Sequence, residues 1–222
     1  MNEQTIEQAV KALPKPSLAD LLLEKKELVI GVLLAVILII GGTLFWMQRS
    51  KEQEEKASLA LSKATVWIQS GDPERATKSL KELIGTYGGT ASGNTARLYL
   101  ATIYYTMNRP DEALAVYRAF SSGNRDLQAS ALAGAASCNV QKKAFAAAAE
   151  GFEKASDTAE NEALKAMYLN KAAENDIAAG KTAQAAKLLD KVVKSWPGTS
   201  SAAVAQRTMW RLSGQGVQVP NQ

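Results

Sequence analysis

Four pairs of alanines, the members of each pair twelve residues apart, recur down the chain: Ala64 with Ala76, Ala101 with Ala113, Ala136 with Ala148, and Ala173 with Ala185. The second members are spaced by 37, 35 and 37 residues, and a large side chain stands four positions after each: Leu80, Tyr117, Phe152 and Leu189. Such a period, with two small positions per unit, describes a pair of antiparallel helices stacked on copies of itself, each unit too small to bury its apolar face alone. Alanine belongs where the two helices of a pair cross most closely, because a larger side chain would force the axes apart. The bulky residue one turn later fills the adjoining layer. Little in the chain competes with helix: alanine dominates the second half, proline is scarce, and β-branched runs are confined to one apolar segment near the start.

The second unit, NTARLYLATIYYTMNRPDEALAVYRAF, is the best formed, with Leu100, Ala101 and Tyr104 marking its first helix and Ala113, Tyr117 and Phe120 its second. In the fourth unit Leu169, Ala172, Ala173, Gly180, Ala185, Leu189 and Pro197 fall on tetratricopeptide consensus positions, so the array resembles tetratricopeptide repeats. The first and third units depart from that pattern, with Gly88 in place of a proline and Asn139 in place of an aromatic. Turn signals divide the helices. SGDP ends one and Asp72–Pro73 opens the next, and NRPDEA repeats the punctuation. The predicted helices run over 51–69, then from 73, and over 91–107, 110–121, 126–140, 144–157, 160–179 and 182–195. A last helix over 200–212 covers the open end of the stack. GTYGGTASGN is read as an inter-repeat loop. The tail after Ser213, GQGVQVPNQ, has no periodicity and is expected to be disordered over 213–222.

Upstream of the array, Leu28 to Met47 (LVIGVLLAVILIIGGTLFWM) runs 20 residues without a charge. A helix of that length spans roughly 30 Å, the hydrocarbon thickness of a bilayer. The run is too long for the apolar region of a cleaved signal peptide, and no Ala-x-Ala-like site follows it. We read an uncleaved anchor at 28–47, with Trp46 at the interface and Arg49 and Lys51 just outside it. No glycine or proline intervenes between Met47 and Gln69, so the anchor helix is able to continue into the first repeat, or KEQEEK forms a frayed linker. In the segment 1–27, Ile6, Ala9, Val10 and Leu13 share one helical face, and Pro14 and Pro16 break that helix before Ser17. This is either a docking helix or an interfacial tail.

Composition excludes several functions. With no histidine in the chain, the usual zinc sites and Ser/Cys–His catalytic pairs cannot be assembled. The single Cys138 forms no intramolecular disulfide and sits in the small-residue run LAGAASCNV, as a buried apolar side chain does. Gly180, Lys181 and Thr182 spell GKT, but a phosphate-binding loop needs a glycine five residues earlier, where Asn175 stands, and a preceding strand. No carboxylate pair is distinguished by spacing, so no catalytic, cofactor or metal residue is assigned. After the anchor, 22 Lys and Arg face 17 Asp and Glu, a balance too small and dispersed for nucleic-acid binding.

A short N-terminal segment, one anchor ending in LFWMQRS and a degenerate repeat array resembles the YfgM family of ancillary Sec translocon subunits. The resemblance implies a bacterial inner-membrane protein with a cytoplasmic N-terminus and periplasmic repeats, associated with the translocon and a membrane-anchored periplasmic chaperone. Flanking charge does not choose the orientation: Lys11, Lys15, Lys25 and Lys26 before the run balance Arg49, Lys51, Lys56 and Lys63 after it.

The expected architecture is therefore all-α: one transmembrane helix, then a tetratricopeptide-repeat solenoid over 48–212 of about four helix pairs plus a capping helix. Such a solenoid offers a concave face to an extended segment or helix of another protein. The repeat register places on it Leu61, Thr65 and Ile68; Leu98, Thr102 and Tyr105; Ala133 and Ser137; and Asn170, Glu174 and Ile177. The chief candidates for a partner-binding groove are Leu98, Thr102, Tyr105, Asn170 and Glu174, with Tyr105 as anchor. A basic face of Lys187, Lys191, Lys194, Arg207 and Arg211 beside Asp190 is either a second surface or merely solvated. The partners implied are proteins, as subunits of a membrane complex or a periplasmic chaperone, and lipid through 28–47. No nucleic acid, cofactor or small-molecule substrate is implied. A different scaffold role, in a respiratory, photosynthetic or secretory complex, fits the same features.

Overall fold

The computed structural model describes residues 26–219. The expected amphipathic face of 1–13, the break at Pro14 and Pro16, Ser17 and nearly all of the segment 1–27 lie outside the described residues, as do the last three residues of the tail. Among the described residues there are nine helices and no strand: α1 (Lys26–Gln69), α2 (Pro73–Tyr87), α3 (Ala91–Thr106), α4 (Pro110–Arg118), α5 (Arg125–Gln141), α6 (Phe145–Thr158), α7 (Glu162–Ala178), α8 (Thr182–Ser195) and α9 (Ser200–Gly214). The chain divides into two compact units, Met1–Glu52 and Gln53–Gln222.

In the first unit, α1 carries Leu34, Val36, Ile37, Leu38, Ile39, Ile40, Leu44, Phe45, Trp46 and Met47, each between 43% and 75% exposed. Over the residues whose side chains are described, no helix is long and apolar enough to cross a membrane. Positions 28, 29, 32 and 33 of the apolar run are outside that set. Residues 51–56 (KEQEEK) are helical, not a frayed linker.

In the second unit the helices pair as the alanine period predicts. All eight alanines of the period are buried, none more than 1% exposed. The close approach they permit is visible at Gly151 of α6, where an added Cβ would stand 2.8 Å from the Cβ of Ala136 in α5. Every turn within a pair has the same form. Gly71, Asn108, Lys143 and Gly180 take positive φ, between 57° and 79°, each seven residues after the first alanine of its unit. Their N–H groups donate to Ile68, Tyr105, Val140 and Ile177. The next N–H reaches back five residues, to Trp67, Tyr104, Asn139 and Asp176, closing a left-handed cap on each first helix.

GTYGGTASGN is not a loop throughout. Gly85–Tyr87 belong to α2, and Ala91–Asn94 to α3, leaving Gly88–Thr90 as the connection. The physical reason lies outside the segment: Glu54 of α1 accepts the N–H groups of Ala91 and Ser92, and Thr90 accepts that of Gly93, so a glycine-rich stretch becomes a well-capped helix start. Beyond Ser213, Gly216 at φ +84° repeats the within-pair turn, and Val217 and Val219 pack against the core of the last units.

Candidate partner-binding face

Consecutive helices pack throughout α2 to α9, and in addition α3 touches α5, α5 touches α7, and α7 touches α9. The even-numbered helices of this stretch make no such second-neighbour contact among the described residues. The odd helices therefore lie at the tighter radius, and their free sides form the inner face of the array.

Counting from the first alanine of each unit, three rows run along that face. The row three residues earlier reads Leu61, Leu98, Ala133, Asn170; the row one residue later Thr65, Thr102, Ser137, Glu174; the row four later Ile68, Tyr105, Val140, Ile177. The first three units present short hydroxyls whose protons are already used. Thr65 Oγ1 donates to Ser62 O at 2.7 Å, Thr102 Oγ1 to Leu98 O at 2.8 Å, and Ser137 Oγ to Ala133 O at 2.9 Å. What remains there is a neutral surface of methyl groups and acceptor lone pairs.

The sequence-derived candidates fall in different settings. Leu98 is half-buried and Thr102 exposed. Tyr105 is half-buried and packs against the core of the first two units, while its carbonyl accepts Gln141 Nε2 at 3.1 Å. It is thus partly committed to structure. A second tyrosine reaches this face from behind: Tyr117 of α4 lays its ring on Gly134 and brings its hydroxyl 3.2 Å from Thr102 Oγ1. Burial raises the Tyr117 hydroxyl above its ordinary range, and the Thr102 hydrogen bond opposes this. Its recruitment depended on glycine at 134, a pairing across units that no motif announces.

Asn170 is buried, 7% exposed, and donates from Nδ2 to Ser201 O at 2.9 Å; its Oδ1 has no hydrogen-bond partner. Glu174, one turn on, is exposed. Together with Met167, Lys171, Ser200, Ser201 and Val204 they line a depression of about 210 Å³ between α7 and α9. Sequence reasoning missed one residue here. Met209 lies 36 residues after Ala173, and Trp210 continues the row of Thr65, Thr102, Ser137 and Glu174, 59% exposed. The turn at Gly216 was the available signal, since it stands seven residues after Met209 as Gly180 does after Ala173.

The remaining candidates are simpler. Lys187, Lys191, Lys194, Arg207 and Arg211 are exposed, and Lys194 pairs with Asp190 at 2.7 Å. Cys138 is fully buried, and desolvation pushes its thiol up to about 11, far from a reactive thiolate. Gly180 of GKT closes the α7–α8 turn. Among the described residues no three His, Cys, Asp or Glu side chains are grouped to hold a metal ion.

Residues 23–135 match the tetratricopeptide repeat-like domain family, and residues 168–199 match a tetratricopeptide repeat. No curated protein matches the chain. Among solved structures, the crystal structure of MamA is 18% identical with a TM-score of 0.53, covering 69% of this chain and 84% of its own. Two crystal structures of nearly identical TPR-like repeats from a Podosopora anserina kinesin light chain-like protein are 16% identical, with TM-scores of 0.57 and 0.56. Each covers 73% of this chain and 88% of its own. At such identities the likeness shows the fold.

Proposed function

We propose, because this chain belongs to the tetratricopeptide repeat-like domain family, that it is a membrane-tethered interaction module holding a segment of a partner protein on the inner face of its odd helices. Tetratricopeptide repeats are protein–protein interaction modules, and the neutral, hydroxyl-lined rows of α1, α3 and α5 suit a protein segment better than a charged small molecule.

The observation that carries the tether is the exposure of α1. Val36 to Ile40 are five consecutive exposed large apolar residues, more than one full helical turn, so the apolar surface has no polar side to turn to water. Thirteen Leu, Ile, Val and Phe residues lie between Leu28 and Met47. At about 0.3–0.6 kcal/mol each near a bilayer centre, they favour insertion by up to roughly 4–8 kcal/mol, with no charge in the run to oppose them. The family match begins at residue 23 and so includes this run within the family's pattern. Alkaline carbonate extraction of membranes tests the tether: the full chain stays with the membrane pellet, and its recovery in the soluble fraction would overturn this reading.

Within this reading the chain is a single-pass protein of the bacterial inner membrane, N-terminus cytoplasmic and repeats periplasmic, serving protein translocation and envelope chaperoning. The YfgM-like layout supports this assignment. Tethering raises the effective concentration of the array for membrane-bound partners. Co-purification in mild detergent followed by mass spectrometry decides the partner. Translocon subunits are expected, and recovery of a respiratory complex without them selects the scaffold role instead.

A further inference from the structure

We infer that the inner face of α1, α3 and α5 selects an extended, uncharged segment of the partner and holds it through the segment's backbone N–H groups. This rests on the reading of that face as the partner-binding surface. Counted from the first alanine of each unit, the rows six and two residues earlier and five later widen the face already described. Its eighteen positions on these three helices hold no charged residue, in a chain that is 22% charged. Of the eighteen, only Ala133 is buried. By contrast the even helix α2 exposes Glu74, Arg75, Lys78, Lys81 and Glu82. Ten residues before Ala64 and Ala136, the carboxylates of Glu54 and Asp126 are occupied by N–H groups further along the chain. The neutral stretch ends in the fourth unit, where Lys171 and Glu174 are both exposed.

Hydroxyls on these rows spend their protons on their own helices. Besides those of Thr65, Thr102 and Ser137, Thr95 Oγ1 donates to Ala91 O at 2.9 Å, Thr106 Oγ1 to Ile103 O at 2.9 Å and Ser130 Oγ to Asp126 O at 2.8 Å. Thr102 and Ser130 also meet tyrosine hydroxyls, Tyr117 at 3.2 Å and Tyr168 at 3.3 Å. With the threonine and serine protons already used, the tyrosine is the donor in both pairs. Each hydroxyl oxygen keeps at least one lone pair, so these groups offer acceptors. A helical segment has spent its N–H groups on its own carbonyls, whereas an extended one turns every second N–H to the same side. A charged side chain facing these rows would lose water with no opposite charge to replace it.

The test uses the full chain in detergent with ¹³C-labelled threonine methyl groups, titrated with acetyl-Ser-Thr-Val-Thr-Val-Thr-Ser-amide. This peptide is expected to shift the Thr65 and Thr102 methyl resonances and to leave Thr86 on α2 unmoved. Lysine or glutamate in place of its central threonine is expected to weaken binding about 10-fold, alike for either sign. Esters replacing alternate amide linkages remove the N–H groups from one side, and one of the two alternating sets is expected to bind about 5- to 10-fold more weakly. The hydroxyls of Thr95, Thr106 and Ser137 bond only their own helix. The chain carrying Thr95→Val, Thr106→Val and Ser137→Ala is therefore expected to bind amide and ester peptides alike; should it fail to fold, Thr106→Val alone serves, with a smaller loss of the difference. Equal binding of the amide peptide and both ester sets, an ester penalty unchanged in these variants, or a charged peptide that binds as tightly as the neutral one overturns the inference. Shifts at Thr65 and Thr102 then leave the partner-binding reading standing without it. Binding of no peptide overturns the inference too, and crosslinking from Thr102 in membranes then decides the partner-binding reading separately.

Discussion

The Glu54 carboxylate of α1 accepts the backbone N–H of Ala91, 37 residues further on, at 2.7 Å. The separation is one repeat, and the interaction recurs. Asp126 of α5, ten residues before Ala136 as Glu54 is before Ala64, accepts the N–H groups of Glu160 and Asn161 at 2.8 and 3.0 Å. Those two N–H groups hold the Asp126 carboxyl below the usual carboxylate range. On α3 and α7 the side-chain amides of Asn94 and Asn170 donate instead, to the carbonyls of Ser121 and Ser201. Each odd helix thus bonds the approach or the first turn of the next, and at Glu54 and Asp126 the partner is a carboxylate placed where the helix dipole favours negative charge.

Glu54→Ala removes the acceptor from two N–H groups at the start of α3. A loss of about 1 kcal/mol is expected, the scale of a missing helix cap. Hydrogen exchange should accelerate at Ala91 and Ser92 before it does in α7. Unchanged protection there contradicts the assignment.

Gly151→Ala sets two effects against each other. Helix propensity gains about 1 kcal/mol, while a Cβ placed 2.8 Å from the Ala136 Cβ overpacks a crossing that has no flexible atom to move, at about 1–3 kcal/mol. Net destabilisation is expected as a lower Tm. A raised Tm would show that α5 and α6 separate freely.

Lys143 occupies the same left-handed turn position as Gly71 and Gly180, at φ 57°. Lys143→Gly is expected to stabilise the array by about 0.5–1 kcal/mol by relieving that conformation. Asn108→Gly should gain less, because asparagine tolerates the region. Equal gains at the two positions would contradict the conformational explanation.

Asp176 stands three residues after Ala173, where Trp67 and Tyr104 stand in earlier units. It is fully buried with both carboxylate oxygens unpaired. Desolvation raises its carboxyl above the usual carboxylate range, Glu153 and Glu150 act in the same direction, and Lys181 opposes them. A folded-state value above the unfolded one means the protonated form is favoured by folding: the contribution is fully present below pH 3.8 and is lost as pH rises through the folded value. At neutral pH the ionised group is a cost. Asp176→Asn is therefore expected to raise stability at pH 7 by about 1–2 kcal/mol, roughly 2–8 °C in Tm, with the advantage shrinking toward pH 4. A difference independent of pH would show that charge is not its cause.

The alanine period was sufficient to place the helix pairs, because close crossing restricts residue size wherever two axes meet, whatever the surrounding sequence. It did not reveal the latches, since Glu54 and Ala91 are one repeat apart and neither belongs to a motif. Nor did it mark Lys143, where the turn overrides the residue's own preference. On the inner face, register alone located Thr102 and Glu174. Asn170 was placed with them, yet one of its two polar atoms is spent on Ser201, a contact that depends on how α9 docks. Trp210 escaped notice because Met209 stands where the other units have alanine, so the period there shows only in the turn that follows.

The most direct test of the central claim is site-specific photo-crosslinking of the full chain in intact membranes. Benzoylphenylalanine is placed at Thr102 or Trp210 on the inner face, or at Lys154 or Lys187 on the exposed sides of α6 and α8. Discrete partner adducts are expected from Thr102 and Trp210 and not from Lys154 and Lys187. Adducts of equal abundance from all four positions, or from the even helices alone, would contradict an inner face that holds a partner.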